Sequence, residues 1–132
     1  MSEANSKIGS IGWFDLTVEN AEELRDFYSS VVGWNSSPVE MGGYNDFCMN
    51  QPEDGTTVAG ICHARGGNSN LPPNWLMYIT VADLDASCQR CLAAGGKILA
   101  EPKNYGGQGR YCVIQDPAGA VVALYQPNLQ SE

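Results

Sequence analysis

The chain contains one histidine, His63, and seven lysines and arginines against fifteen aspartates and glutamates. The shortage of positive charge, a formal net charge of −8, argues against a nucleic-acid or anionic-membrane surface, because both need clustered Lys and Arg. A single histidine leaves little for a His-rich metal centre. No apolar run approaches the roughly 18–20 residues of a membrane-spanning helix. The first residues, MSEANSKIGS, are polar and lack the apolar core of a signal peptide, so the expected location is cytoplasmic. Five cysteines, an odd and irregularly spaced set, point to free thiols and not to a disulfide framework.

What the chain does have is glycine, fifteen residues, and seven prolines within 132, a composition of many turns that favours strands. That length suits one ordinary domain. An internal repeat organises it. IGWFDLTVENAEELRDFYSSVVGW and NWLMYITVADLDASCQRCLAAGGK superpose at an offset of 63, with Thr17-Val18 on Thr80-Val81, Asn20 on Asp83 and Gly33 on Gly96. Ile11–Val18 and Trp75–Val81 are β-branched and aromatic and too short for typical helices. Asn20 and Asp83 are candidate N-caps, and Gly33 and Gly95-Gly96 candidate C-caps. The first helix shows Leu24, Phe27, Tyr28 and Val31 at core spacing, and the second Leu84, Cys88, Cys91 and Leu92.

Shorter β-like pieces follow each helix: about Trp34–Val39, Tyr44–Asn50 and Thr57–His63, then Lys97–Ala100, Gly109–Gln115 and Ala120–Gln126. Each half reads βαβββ, with module one at about 8–63, a Gly/Asn/Pro-rich linker at 64–74 and module two at 75–127, together a single domain.

The repeat, its Phe27-Tyr28 and Gly33-Trp34 pairs, and the closing hairpin GRYCVIQDPAGAVVALYQP resemble the vicinal-oxygen-chelate superfamily, which holds glyoxalases, extradiol dioxygenases and fosfomycin- and bleomycin-resistance proteins. The resemblance runs from about Ile8 to Pro127. It implies an α+β fold in which two βαβββ modules form a curved mixed β-sheet cup. In the family's enzymes His and Glu side chains on the first and last strands of each module hold a divalent metal that polarises vicinal substrate oxygens. Carried onto this chain, those positions fall on Trp13, Leu76, Ala59 or Gly60, and Ala123, none of which can bind a metal. The resemblance therefore implies the scaffold without its usual metal site, and no cofactor is expected.

Strand alternation puts Trp13, Asp15 and Thr17 on one face of the first strand, and Phe14, Leu16 and Val18 on the helix-packed face. Asn74, Leu76, Tyr78 and Thr80, with Val121, Ala123 and Tyr125, face the cup from module two. Asp15 is the single acid pointing inward and the candidate base. Trp13, Asp15, Tyr78, Arg110 and Tyr125 are the candidate ligand-binding residues. Arg110 reads either as a solvated strand end or as a mouth residue for an anionic group, and the 104–109 loop as a lid. His63 reads as a surface or linker residue, and Cys88–Cys91, a CxxC on an apolar helix face, as core thiols.

An apolar, aromatic wall with few polar groups suits a small-molecule site. The expected function is binding of a small hydrophobic or aromatic molecule by a homodimer. The alternatives are a metal-dependent lyase, isomerase or dioxygenase of the same superfamily with a displaced site, and a ligand-free dimeric module.

Overall fold

The computed structural model describes residues 7–104 and 107–128. Its elements run β1 (Ile11–Val18), α1 (Ala21–Val32), β2 (Asn35–Glu40), β3 (Asn45–Asn50) and β4 (Thr57–His63), a short 3-10 turn at Gly66–Asn68, then β5 (Trp75–Thr80), α2 (Leu84–Ala93), β6 (Lys97–Asn104), β7 (Gly109–Gln115) and β8 (Val121–Pro127). The order is βαβββ twice, the α+β architecture expected from the repeat. The expected lid loop, 104–109, lies partly outside the described residues.

The chain divides into two compact units, Phe14–Trp75 and a second that takes the residues up to Trp13 together with those from Leu76 onward. In the first, the strand order is β2-β3-β4-β1; in the second, β5-β8-β7-β6. In both units the first strand of the module runs parallel to its last. Asp15 faces Gly60 across β1 and β4, and Tyr78 faces Ala123 across β5 and β8. Those two pairs are each separated by the same 63 positions as the sequence repeat, so the repeat is one of strand register as well as composition. In the second unit the backbone of Gly9 and Ser10 brackets Thr80, with Gly9 N–H donating to Thr80 O at 2.7 Å and Thr80 N–H to Ser10 O at 2.9 Å.

Proline marks the outer edges. Pro38 lies in β2 and Pro102 in β6, the terminal strands of the two orders, where a missing N–H removes no interior ladder bond. Pro102 falls where the β6–β7 register shifts between Ala100 and Lys103.

Each helix covers one face of its own sheet. Leu16, Val18, Ala21, Phe47, Met49 and Ile61 form the core beneath α1, with Leu24, Tyr28, Trp34 and Trp75 packed against it. The Trp75 indole N–H donates to Tyr28 Oη at 3.0 Å, which satisfies a donor that burial would otherwise strand. Beneath α2 the core is Leu84, Cys112 and Leu124, with Ile79, Val81, Cys88 and Ile114.

Several local expectations change. Asp83 caps α2 by accepting from Ala86 N–H at 3.1 Å, but the Asn20 side chain makes no cap bond. Its Nδ2 instead donates to Glu23 Oε1 at 3.0 Å, which turns the amide oxygen away from the helix N–H groups. On α1, Leu24 and Tyr28 reach the core while Phe27 and Val31 stay exposed; on α2, Leu92 is exposed, and so is Phe14 on β1. Helical and strand spacing fix which side chains share a face, but the covered stripe is narrower than that face.

Gly33 ends α1 in the left-handed region, φ 82°, with its N–H on Ser29 O. At Gly96 the constraint is space. A Cβ there would lie 2.5 Å from Cys91 Sγ and 2.8 Å from Gln115 O. Gly96→Ala is expected to destabilise the fold by about 1–3 kcal/mol, read from urea unfolding, because a backbone carbonyl must move.

Candidate functional site

The registry of β1 with β4 and of β5 with β8 locates the positions at which the family places metal ligands. Gly60 lies opposite Asp15 as Ala123 lies opposite Tyr78, so the choice between Ala59 and Gly60 falls on Gly60. Trp13, Leu76, Gly60 and Ala123 carry no carboxylate, imidazole or thiolate. The residues present do not fit the family's metal. Among the described residues no group of three or more His, Cys, Asp or Glu side chains is arranged to hold a metal ion.

On the sheet face of the first unit away from α1, Asp15 is buried. The Cys62 thiol donates to its carboxylate, with Sγ 3.4 Å from Oδ1 and 3.5 Å from Oδ2. Burial, followed by the Asp15 charge, pushes the Cys62 thiol far above the ordinary thiol range, so it stays S–H and serves as a donor, not a nucleophile. Burial also raises Cys48, with Asp15 adding to the effect.

His63 departs from the linker reading. It ends β4 with a side chain 11% exposed, and both ring nitrogens are engaged. Nδ1 lies 3.2 Å from Asp46 Oδ1, and Nε2 lies 3.0 Å from Glu22 Oε1 on α1. The His63 backbone N–H also donates to Asp46 Oδ1, at 2.9 Å. The hydrogen bond of His63 Nε2 to Glu22 holds the Glu22 carboxyl below its usual range. Because each nitrogen faces a different carboxylate, the three groups do not converge on one point where an ion could sit. The cluster joins α1, β3 and β4. Sequence reading missed Asp46, whose link to His63 depends on the β3–β4 register.

The second unit holds the other four predicted residues. Tyr78 on β5, Tyr111 on β7 and Tyr125 on β8 are buried on the sheet face away from α2. The Tyr78 and Tyr111 rings are 5.8 Å apart between centroids and tilted by 40°. Tyr111 and Tyr125 are direct cross-strand partners, and Thr80 faces Tyr125. Tyr125 Oη donates to Gln108 O at 2.9 Å, and burial raises its phenol. Lys103 Nζ lies 5.6 Å from the Tyr111 ring centre, and burial lowers that ammonium. Sequence reading left Lys103 out because β6 was expected to end at Ala100, whereas it continues to Asn104.

Arg110 is committed elsewhere. Its Nη1 and Nη2 donate to Asp85 Oδ2 and Oδ1, at 3.1 and 3.2 Å, in a bidentate pair with the first turn of α2. Asp85 is held below the usual carboxylate range by that pairing. Trp13 differs from the tyrosines. Its indole Nε1 is buried and, among the described residues, has no hydrogen-bond partner. A buried unmet N–H costs about 1–3 kcal/mol, so it marks a place where an acceptor would be held favourably.

A chain built as two βαβββ modules with first and last strands parallel defines a class, and the comparisons with known proteins agree. The model of the Glyoxalase/Bleomycin resistance protein/Dioxygenase superfamily matches residues 10–124, and the chain belongs to that superfamily. It is 34% identical over 125 residues to "Putative glyoxylase CFP32" of Mycobacterium tuberculosis, covering 91% of this chain and 46% of the relative. It is 32% identical over 133 residues to "Anthracycline biosynthesis protein DnrV" of Streptomyces peucetius, covering 89% and 47%. The chain thus spans about half the length of the curated relatives it matches. Among solved structures it is similar in fold to methylmalonyl-CoA epimerase from Mycobacterium tuberculosis, with a TM-score of 0.56 and 17% identity over 98% of this chain and 94% of that one.

The Cys62 environment has a measurable consequence. Its folded-state pKa lies above the unfolded value near 9, so at alkaline pH the folded chain keeps a proton that the unfolded chain releases. That stabilisation is complete below pH 9 and is lost as pH rises beyond it, by up to about 1.4 kcal/mol per pH unit for each such thiol. Urea unfolding at pH 8, 9 and 10 is expected to show the decline, with a shallower slope in Cys62→Ala.

Proposed function

We propose that the chain binds a small aromatic or hydrophobic molecule without a metal, against the helix-free sheet face of the second unit. The observation that carries this reading is the buried Nε1–H of Trp13, which lacks a hydrogen-bond partner among the described residues. It belongs to a residue standing at a family ligand position, and it can donate to a carbonyl or phenolate oxygen. Tyr78 and Tyr111 supply aromatic surface, and Lys103 above Tyr111 favours an electron-rich or anionic substituent. The buried side chains of Leu76, Val113 and Ala123 make the rest of that face apolar. Trp13 and Tyr78 are the contacts assigned to the ligand. Tyr125 is assigned the supporting role that its bond to Gln108 suits, and Arg110 that of holding β7 to α2.

The similarity to a protein named for anthracycline biosynthesis supports the ligand class, since an anthracycline is a fused-ring aromatic that carries carbonyl acceptors. A lyase, isomerase or dioxygenase activity with a displaced metal needs a set of convergent ligands. The His63 cluster argues against that alternative because its carboxylates diverge.

Titration with a hydroxylated anthraquinone, followed by tryptophan fluorescence and by the thermal midpoint, tests the proposal. Binding is expected to quench emission and raise the midpoint. Trp13→Phe should weaken affinity roughly 3–10-fold, the worth of one hydrogen bond. Failure of fused-ring aromatics to bind overturns the proposal. So does one tightly held divalent ion per chain whose removal abolishes an activity that Asp15→Ala also abolishes.

A further inference from the structure

The Cys88-x-x-Cys91 spacing suggests a pair within one helix, yet the two sulfurs have different neighbours. Cys91 Sγ lies 3.8 Å from Lys97 O, at the C-terminal end of α2 beside Gly96. Cys88 Sγ lies 3.5 Å from Sγ of Cys112, which is 24 residues away on β7. Cys112 is fully buried between Leu84 and Leu124, while Cys88 is half-buried on the helix that covers it. The pair therefore has one sulfur within reach of a small oxidant and one shielded from it. Closing the gap to an S–S bond of about 2.05 Å requires an approach of roughly 1.5 Å, within the range of a side-chain rotation combined with a small helix shift.

We infer that Cys88 and Cys112 are a reversible redox pair, closed to a disulfide by a small hydroperoxide such as hydrogen peroxide. In the first step the Cys88 sulfur attacks the peroxide, the O–O bond breaks, water leaves, and Cys88 becomes a sulfenic acid. In the second, the Cys112 sulfur attacks the Cys88 sulfur, the S–O bond breaks, and the Cys112 proton leaves with the hydroxyl as a second water. The two thiols lose two electrons in total, and the peroxide gains them. Cys112 is suited to the second step only, because burial, with Cys88 beside it, pushes its thiol up and denies it to external reagents. The bond ties α2 to β7 directly behind Tyr111 and Val113, whose side chains leave the strand on the opposite face.

The test begins with fully reduced, desalted protein treated with a few equivalents of hydrogen peroxide. Peptides are then mapped by mass spectrometry without reduction. The expected product has lost two of the five thiols. It is lighter by about 2 Da, links the Cys88 and Cys112 peptides, and reverts with dithiothreitol. Its thermal midpoint is expected to rise by roughly 5–10 °C over the reduced form, as closure of a loop of this length implies. Cys91→Ser should oxidise like the wild type, and Cys88→Ser should form no disulfide. Cys112→Ser should halt Cys88 at the sulfenic or sulfinic acid; should that variant not fold, the peptide map and the other two variants decide the matter. A Cys88–Cys91 link, oxidation of Cys88 to the sulfinic acid in the unaltered chain, or retention of all five thiols overturns the inference.

Discussion

The parallel pairing of the first strand of each module with its last is the constraint from which the rest of the structure follows. A parallel pair cannot be closed by a tight turn, so the intervening chain must leave the sheet and return. In both modules it leaves through a helix that covers one face, then fills the remaining positions with an antiparallel meander. The strand that holds Gly60 or Ala123 is consequently interior, and the strand that holds Pro38 or Pro102 is an edge. The placement of the edge prolines and of the strand faces left uncovered by a helix follows from that one pairing.

On this shared frame the two modules carry different chemistry at matching places. Asp15 and Cys62 stand where the second module has Tyr78 and Tyr125. In the first, a buried carboxylate is met by a thiol proton and the surrounding cysteines are driven toward neutrality. In the second, the same positions give aromatic surface with a phenol bonded to the backbone. Opposite these groups, at the family's ligand positions, stand Gly60 and Ala123, whose side chains carry no metal-binding group. Belonging to the superfamily therefore fixes the scaffold and leaves the reaction undetermined, because function lies in the residues set on the frame.

Much of the fold was legible in the sequence. β1, β4 and β7 begin and end at the residues that β-branched and aromatic content marked, and the 63-residue offset reappears as strand register. Composition could not give what depends on partners far apart in the chain. His63 read as a linker residue because nothing local announces Asp46, seventeen positions earlier, or Glu22 on α1. Likewise Cys88 and Cys91 read as core thiols of one helix face, and nothing local announced Cys112 on β7 as the sulfur neighbour of Cys88. Phe27 and Val31 obey helical periodicity and remain exposed, since periodicity says nothing about the width of the covering contact. For the candidate site, alternation placed Tyr78 and Tyr125 on the sheet face away from α2, but it did not show the commitment of Arg110 to Asp85 or the donor of Trp13 left unmet among the described residues.

A frame present twice in one chain allows a division of labour that a single copy would not. Because the strand registers match at corresponding positions, one copy can exchange its polar groups for aromatic ones while the other retains a buried acid, and neither change disturbs the backbone ladders. With Gly60 and Ala123 at the family's ligand positions, the strand registers of the two modules still correspond. The differences sit on one frame, which in each unit is held by a core beneath its own helix.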